Sequence, residues 1–539
     1  MARRLSLSLA MLAAGLVLLV ASGLARPAGS ASAAGEARKG GTLRMSYPID
    51  VSLVDPALAY SGELWQLEYP TCAKLFNYPD AAGAAGTRLV PEVVDRYTVS
   101  EDGRTYTFTL KQTFRFHTGA RVTAQSFSDA FDRDAQPRLA SPATAYMREI
   151  VGASAVIDGK APSISGVRVL GRYGLQIRLT GPVPDFTARL SMPFFCPVLP
   201  HTPSAEIDDP AGSGPYYLKE RVVNRRIVWK RNPFYRGDRP ANVDEVVLTL
   251  RSYEACVVAA EQNRIDYCFP GIEDVPQRLA GRYGVNRPGG QFFVSPVLGT
   301  TFVAFNHDRP AFRGPGQIPL AKAINYAIDR REMARKFGYL GAKPTDQLLP
   351  PALARPASIY PPKGADRAAA RKWLARASIK PPTLVLYANN TPQGVALAQA
   401  LVHDLRQIGL DVQVKYFYFN VVSAKIAAPE EPFDLALAGW SADYGDAASF
   451  FLPLLYRRSG TQGVNLDDPR VNARIDAANR LTGEARRRAW ADLDVDLMRD
   501  NPPWAPLVHP QTRTFVSRST GCVLDHPVYG FDIAAACKK

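Results

Sequence analysis

Two hydrophobic rhythms run along this chain. Between about residues 100 and 250 large apolar side chains fall at every second position. Tyr106, Phe108 and Leu110 alternate with Thr107 and Thr109, and Phe114 and Phe116 flank Arg115. Leu175, Ile177 and Leu179 alternate with Gln176 and Arg178 in the same way. A period of two marks strands with one buried face, so this stretch predicts a β-rich subdomain with short helices, one of them after Thr123. Before it, 40–47 reads as a first strand that enters a loop holding Pro48, Asp50, Asp55 and Pro56. After it, 212–217 opens a strand region that ends near 227–233, and 243–250 supplies another strand.

From about Gly290 the period lengthens. Leu320, Ile324, Ala327, Ile328 and Phe337 fit one helix over 319–339, with Gly338 or Gly341 to end it. A β-α-β unit follows. Its first strand is 383–388, and Thr391-Pro392 is an N-cap with proline at the first helical position. Val395, Ala398, Val402, Leu405 and Ile408 then share one helical face, Gly409 closes the helix, and Val412, Val414 and Tyr416 return as a strand. Two more helices are expected within 468–481 and 484–498, stopped by Asn501-Pro502-Pro503. A last segment returns with Phe515 and Val516.

The densest chemistry lies at 433–446, FDLALAGWSADYGD. An apolar run, Leu435 to Ala438, ends at Gly439 and is followed by Trp440, Asp443, Tyr444 and Asp446. This reads as a buried strand delivering a carboxylate and two aromatic faces beyond its end. In open α/β sheets ligands bind there. A right-handed crossover puts Asn389 and Asn390 on the same edge.

With 539 residues the chain is too long for one core, and two or three lobes are expected. Arg3 and Arg4 precede an uncharged run from Leu5 to Ala25, and Ala31-Ser32-Ala33 offers a cleavage site. Residues 1–33 therefore read as a secretory signal peptide, with an uncleaved anchor as the alternative. No cysteine follows it closely enough to take a lipid. Six cysteines in an exported chain imply disulfides. Cys256 and Cys268 are near in sequence, as are Cys522 and Cys537, which leaves Cys72 with Cys196, one pairing scheme among several. Net charge is +15, and falls by three, to +12, without Arg3, Arg4 and Arg26. The arginines are scattered and no basic, aromatic-interleaved stripe occurs, so nucleic acid is not an expected partner. His117, His201, His307, His403, His509 and His526 lie far apart, without metal-site spacing. No Gly-x-Ser-x-Gly motif or phosphate loop occurs, so neither a cofactor nor catalysis is expected.

Several blocks taken in order resemble family 5 solute-binding proteins of ABC transporters, the peptide, nickel and oligopeptide group. They are GGTLRMSYPID, VPEVVDRYTVSEDGRTYTFTLKQTFRFHTGARVTAQSF, GSGPYYL with WKRNPFYRG, FVAFNHDRPAF with LAKAINYAIDRREM, and the Trp440 block. The last is similar to the signature GW-x-x-D-(Y/N)-x-(D/E)-P, with Ala447 in place of the proline. The resemblance implies an α/β, two-lobed periplasmic-binding-protein fold of the large, cluster C type. The first lobe would comprise 34–80, 185–290 and 506–539, with an extra β-rich subdomain inserted at 81–184. The second would be 291–505, with hinge crossings near 290 and 505.

The same resemblance implies a monomeric, non-enzymatic periplasmic or secreted receptor that encloses a short peptide and docks on a membrane permease. Asp443 would pair with the ligand's α-ammonium; capping the next helix is the competing role. Asp446 reads as that helix's N-cap. Trp440 and Tyr444 would wall the pocket or pack in the core, with Tyr47, Trp65, Asn389 and Asn390 as further contacts. Some relatives carry an arginine three residues before the tryptophan, where Leu437 stands here. The alternatives are a non-peptide solute (oligosaccharide, opine or metal chelate) and, more remotely, a secreted hydrolase.

Overall fold

A curled sheet of twelve strands organises the molecule. In the computed structural model the described residues are 38–539 apart from 272–274, 362–363, 379–382 and 459–460, so the expected signal peptide lies outside them. Across the sheet the order is Val412–Phe417, Leu384–Asn389, Leu435–Ser441, Gly299–Phe305, Trp504–Val516, Tyr267–Cys268, Thr42–Tyr47, Glu245–Leu250, Arg226–Arg231 and Tyr216–Val222. Phe292–Pro296 and Ala342–Pro344 also pair with Trp504–Val516.

That thirteen-residue strand belongs to both halves of the sheet. Its first part, Trp504 to Val508, lies against Gly299–Phe305, and its second part, from Gln511, lies against Phe292–Pro296. The change of partner coincides with Pro510, whose carbonyl accepts from Val297 N at 3.2 Å. The two chain passages between the halves of the sheet therefore run side by side, at 296–299 and 508–511. The strand itself exceeds the expectation, which placed only its end. Pro506 and Pro510 disguise it, since proline usually marks an edge or a break.

The subdomain carries a four-stranded antiparallel sheet ordered Val94–Val99, Thr105–Leu110, Gly174–Arg178, Val167–Val169. Helix Ala124–Asp134 packs with it and starts in a capping box built by Thr123 and Ser126. Phe114 and Phe116 are buried as their alternation implies, but the only pairing there is a single bridge, Arg115 to Arg121. They anchor a loop rather than a ladder.

The expected helix over 319–339 is two helices, Ile318–Ala327 and Arg330–Arg335. Ile328 is extended, and Asp329 restarts the chain as an N-cap, accepting from Arg331 N and Glu332 N. Buried Arg330 donates to the Asn325, Thr345 and Pro506 carbonyls and to Asn325 Oδ1. It thus replaces the bonds a continuous helix would have made.

The disulfides are Cys72–Cys196, Cys256–Cys268 and Cys522–Cys537, with no free cysteine. Their sequence separations are 124, 12 and 15 residues. In the chain-entropy picture each is worth roughly 3–5 kcal/mol. All three lie outside 299–508. Among the described residues, no helix is long and apolar enough to cross a membrane.

Candidate functional site

The strand Leu435–Ser441 does not stop at Gly439. Trp440 and Ser441 stay in the ladder because Thr300 and Gly299 pair with them. Its neighbour Leu384–Asn389 runs parallel to it and to Val412–Phe417. The carboxyl ends of three parallel strands thus deliver Asn389–Asn390, Tyr418–Phe419 and the 440–447 loop to one edge.

Asp443 leaves that loop and is only 7% exposed. Its two oxygens accept from two hydroxyls across the cleft: Tyr60 at 3.0 Å and Tyr146 at 2.8 Å. Those hydroxyls are themselves 2.7 Å apart. No lysine or arginine among the described residues pairs with the carboxylate. Burial pushes its pKa up to about 7, against the lowering effect of the two tyrosines. Burial first, and then the nearby Asp443 charge, raise both tyrosines, which therefore remain donors. Behind them stands an aromatic group in which Tyr60 contacts Trp65 and Phe194, at ring distances of 5.7 and 5.4 Å.

The rest of the loop closes against the first half of the molecule. Tyr444 is fully buried in the core of the first half and the subdomain, and its hydroxyl donates to Asp185 at 2.6 Å. Burial alone would raise Asp185, but Arg189, Tyr444 and Arg486 outweigh it and hold the carboxyl below its usual range. Gly445 N donates to the Tyr78 hydroxyl at 2.8 Å. A Cβ on Gly445 would come within 2.9 Å of the Thr87 carbonyl, so only glycine permits this approach. Asp446 accepts from Ala448 N at the start of helix Ala448–Leu454 and also from Arg486, at 2.8 and 2.9 Å. The N-cap is Ala447 instead, and Asp446 sits one residue before it, locked by an arginine.

The remaining expected residues divide. Trp440 is partly buried and donates from Nε1 to the Ser449 carbonyl at 2.7 Å. Trp65 donates to the Ala59 carbonyl at 2.7 Å and sits behind Tyr60, one layer from the carboxylate. Tyr47 is a core residue, stacked on Phe269 with its hydroxyl bonded to Gln66. Asn389 Oδ1 accepts from Thr391 N and Oγ1, the action of a turn residue, while Asn390 is exposed. Sequence reasoning missed Tyr60 and Tyr146, which no local pattern marks. It also passed over Tyr418 and Phe419, which are 71% and 68% exposed at the end of a strand. Two large exposed aromatics directly after an alternating strand were the available signal. Among the described residues no three histidine, cysteine or acidic side chains group as a metal site would.

Residues 88–462 match the family described as bacterial extracellular solute-binding proteins, family 5. The chain belongs to that family. Among the similar proteins is the periplasmic oligopeptide-binding protein OppA of Escherichia coli K12. It is 27% identical over 412 residues, 72% of this chain and 74% of the relative. The periplasmic murein peptide-binding protein MppA of the same organism is also 27% identical, over 438 residues, 78% of this chain and 79% of the relative. Among solved structures, clavulanic acid biosynthesis oligopeptide binding protein 2 superposes with a TM-score of 0.83 at 24% identity. It covers 93% of this chain and 96% of its own. The two-lobed, mixed α/β receptor fold is thus the fold of this family 5 protein, and its relatives are binding proteins rather than enzymes.

Proposed function

We propose that this family 5 protein is an exported receptor that captures short peptides and hands them to an ABC-transporter permease in the membrane. The observation that carries the reading is the buried Asp443 carboxylate, which faces tyrosines of the opposite half and has no cation partner among the described residues. A ligand α-ammonium is the missing partner. An ion pair in a dry cleft repays the cost of burying the carboxylate only when both charges are present.

The first lobe is taken as 34–80, 185–290 and 506–539, with 81–184 inserted, and the second as 291–505. The adjacent crossings at 296–299 and 508–511 serve as the hinge. Opening about them separates Asp443 from Tyr60 and Tyr146, and Tyr444 from Asp185; ligand entry followed by rigid-body closure restores both sets. Trp440, Tyr418 and Phe419 supply flat contact area that does not depend on one side-chain shape, and waters in the side-chain pockets extend that tolerance. The relatives' periplasmic location and residues 1–33 support export by a cleaved signal.

The test is to purify the protein from its native host, denature it, and identify what it releases by mass spectrometry. Peptides that share a length but not a sequence are expected. A single non-peptide solute would overturn the peptide reading and leave a receptor for another solute.

A further inference from the structure

Away from the cleft, two helices end in acids, against the sense of the helix dipole. Glu68 is the last residue of helix Gly62–Glu68, and Asp134 is the last residue of helix Ala124–Asp134. A carboxylate at a helix C-terminus faces the negative end of the dipole, where a cation is favoured. Both side chains line one cavity of about 40 Å³, at the seam between the first half and the subdomain. We propose that this cavity binds a small monovalent cation through the Asp134 and Glu68 carboxyls, apart from the ligand cleft. The proposal does not depend on the peptide-receptor reading.

The protein supplies no cation of its own at this place. Asp134 is 1% exposed and Glu68 5%. Asp134 Oδ2 has no hydrogen-bond partner among the described residues, and Glu68 Oε2 accepts from the Thr71 hydroxyl at 3.2 Å. The bases that act on the two acids are engaged elsewhere. Arg133 pairs with buried Asp55 and donates to the Pro203 and Ala205 carbonyls. Lys74 Nζ makes no hydrogen bond and lies over the rings of Tyr69 and Tyr529, at 5.1 and 5.4 Å. Burial pulls its pKa down to about 7, so at neutral pH it is only partly charged.

The wall around the acids is mostly hydrocarbon, from Leu67, Phe194, Val198, Trp229 and the Cys72–Cys196 disulfide. An isolated carboxylate is costly in such a setting. Burial accordingly lifts the Glu68 pKa to about 8, against the lowering effects of Thr71 and Lys74. Burial also holds Asp134 well above its usual range, against the lowering effect of Arg133, and the Asp55 charge raises both acids. A cation that enters lets one carboxyl ionise and release its proton to water, while the other stays protonated. The net charge of the site is then unchanged. Size and chemistry set the class of ion. A cavity of about 40 Å³ holds a sodium, potassium or ammonium ion with a water or two. Calcium needs about six to eight oxygens, and magnesium keeps several of its waters. Asp55, the third acid of the lining, is already committed to Arg133.

The experiment uses the mature protein dialysed into choline chloride at pH 8. Thermal unfolding is followed as sodium, potassium or ammonium chloride replaces choline at constant ionic strength. At least one of the three is expected to raise Tm by about 2–4 °C at saturation, as mass action requires of a ligand of the folded state. The gain should vanish in Asp134→Asn and in Glu68→Gln, and persist in Asp443→Asn, which separates this cavity from the cleft. The parent protein gives a reading that needs no variant: at pH 7 calorimetry should register about one proton released per cation bound. Equal Tm values in all four salts, a gain that survives both cavity variants, or a gain without proton release would overturn the proposal. None of these outcomes bears on the peptide reading, which is tested at the cleft.

Discussion

Replacing Asp443 with asparagine separates charge from shape, and its effects on binding and on stability should have opposite signs. In the complex the substitution removes one member of an enclosed ion pair, a loss of about 3–5 kcal/mol. Peptide affinity should therefore fall about 150- to 5,000-fold. In the free protein the same carboxylate is a liability. Burial lifts its pKa from 3.8 to about 7, a rise of about 3 units, or about 4 kcal/mol at 1.36 kcal/mol per unit. Because the folded pKa lies above the unfolded one, the penalty is fully present above pH 7 and is relieved as pH falls from 7 towards 4. Asparagine removes the penalty but leaves one tyrosine hydroxyl without an acceptor, at about 1–3 kcal/mol. The variant should thus be about 1–3 kcal/mol more stable than the parent at pH 8, with the advantage fading by pH 5.

The same pKa sets a proton count. A bound ammonium favours the ionised carboxylate, so binding expels whatever proton Asp443 carries. Calorimetry in buffers of different ionisation enthalpy should register a proton release per ligand that is largest near pH 6 and small by pH 8. The count should vanish in Asp443→Asn. A variant that binds within threefold of the parent, or a parent that releases no proton at pH 6, would refute the role given to this residue.

Tyr444→Phe removes the hydroxyl bonded to buried Asp185, which should cost the closed form about 1–3 kcal/mol; small-angle scattering should show a larger unliganded radius with the ligand contacts unchanged. Arg330→Ala should destabilise the fold by about 3–5 kcal/mol, since it strands three buried carbonyls beside a cavity; denaturant unfolding measures it, and ligand affinity of the folded fraction should not change. Reduction should loosen only the half of the sheet that holds the disulfides. Limited proteolysis in a thiol reductant should cut first outside 299–508, and a first cut inside that segment would contradict the reading.

The sequence showed those parts of the fold whose signals are local. The crossover unit over 383–417 was readable to within a residue or two because Thr391, Pro392 and Gly409 punctuate it, and each does in the structure what its type predicts: Thr391 accepts from Gly394 N, and Gly409 adopts a φ of +88°. Features dictated by partners were not readable. The helix over 319–339 has an unbroken apolar period, yet it breaks at Ile328. Arg330 finds carbonyls from Thr345 and Pro506, and no window around 330 contains them. The strand Trp504–Val516 is hidden by its own prolines, which the changeover between sheet halves accommodates.

The site divides in the same way, and the division explains its chemistry. Asp443 was visible because a carboxylate just past a buried strand is anomalous wherever it occurs. Tyr60 and Tyr146 were invisible because they lie 383 and 297 residues away and meet it only in the folded chain. Neither tyrosine makes an acidic group unusual by itself; together they convert an exposed loop acid into a buried one. A residue whose partners come from both halves of the molecule has its pKa set by how those halves pack. Closure without a ligand pushes Asp443 towards protonation. Closure around an amine keeps it charged. On the proposed reading, the free energy that favours the liganded closed state over the empty one is therefore the burial penalty of one carboxylate, borne by the empty form and cancelled by the ligand.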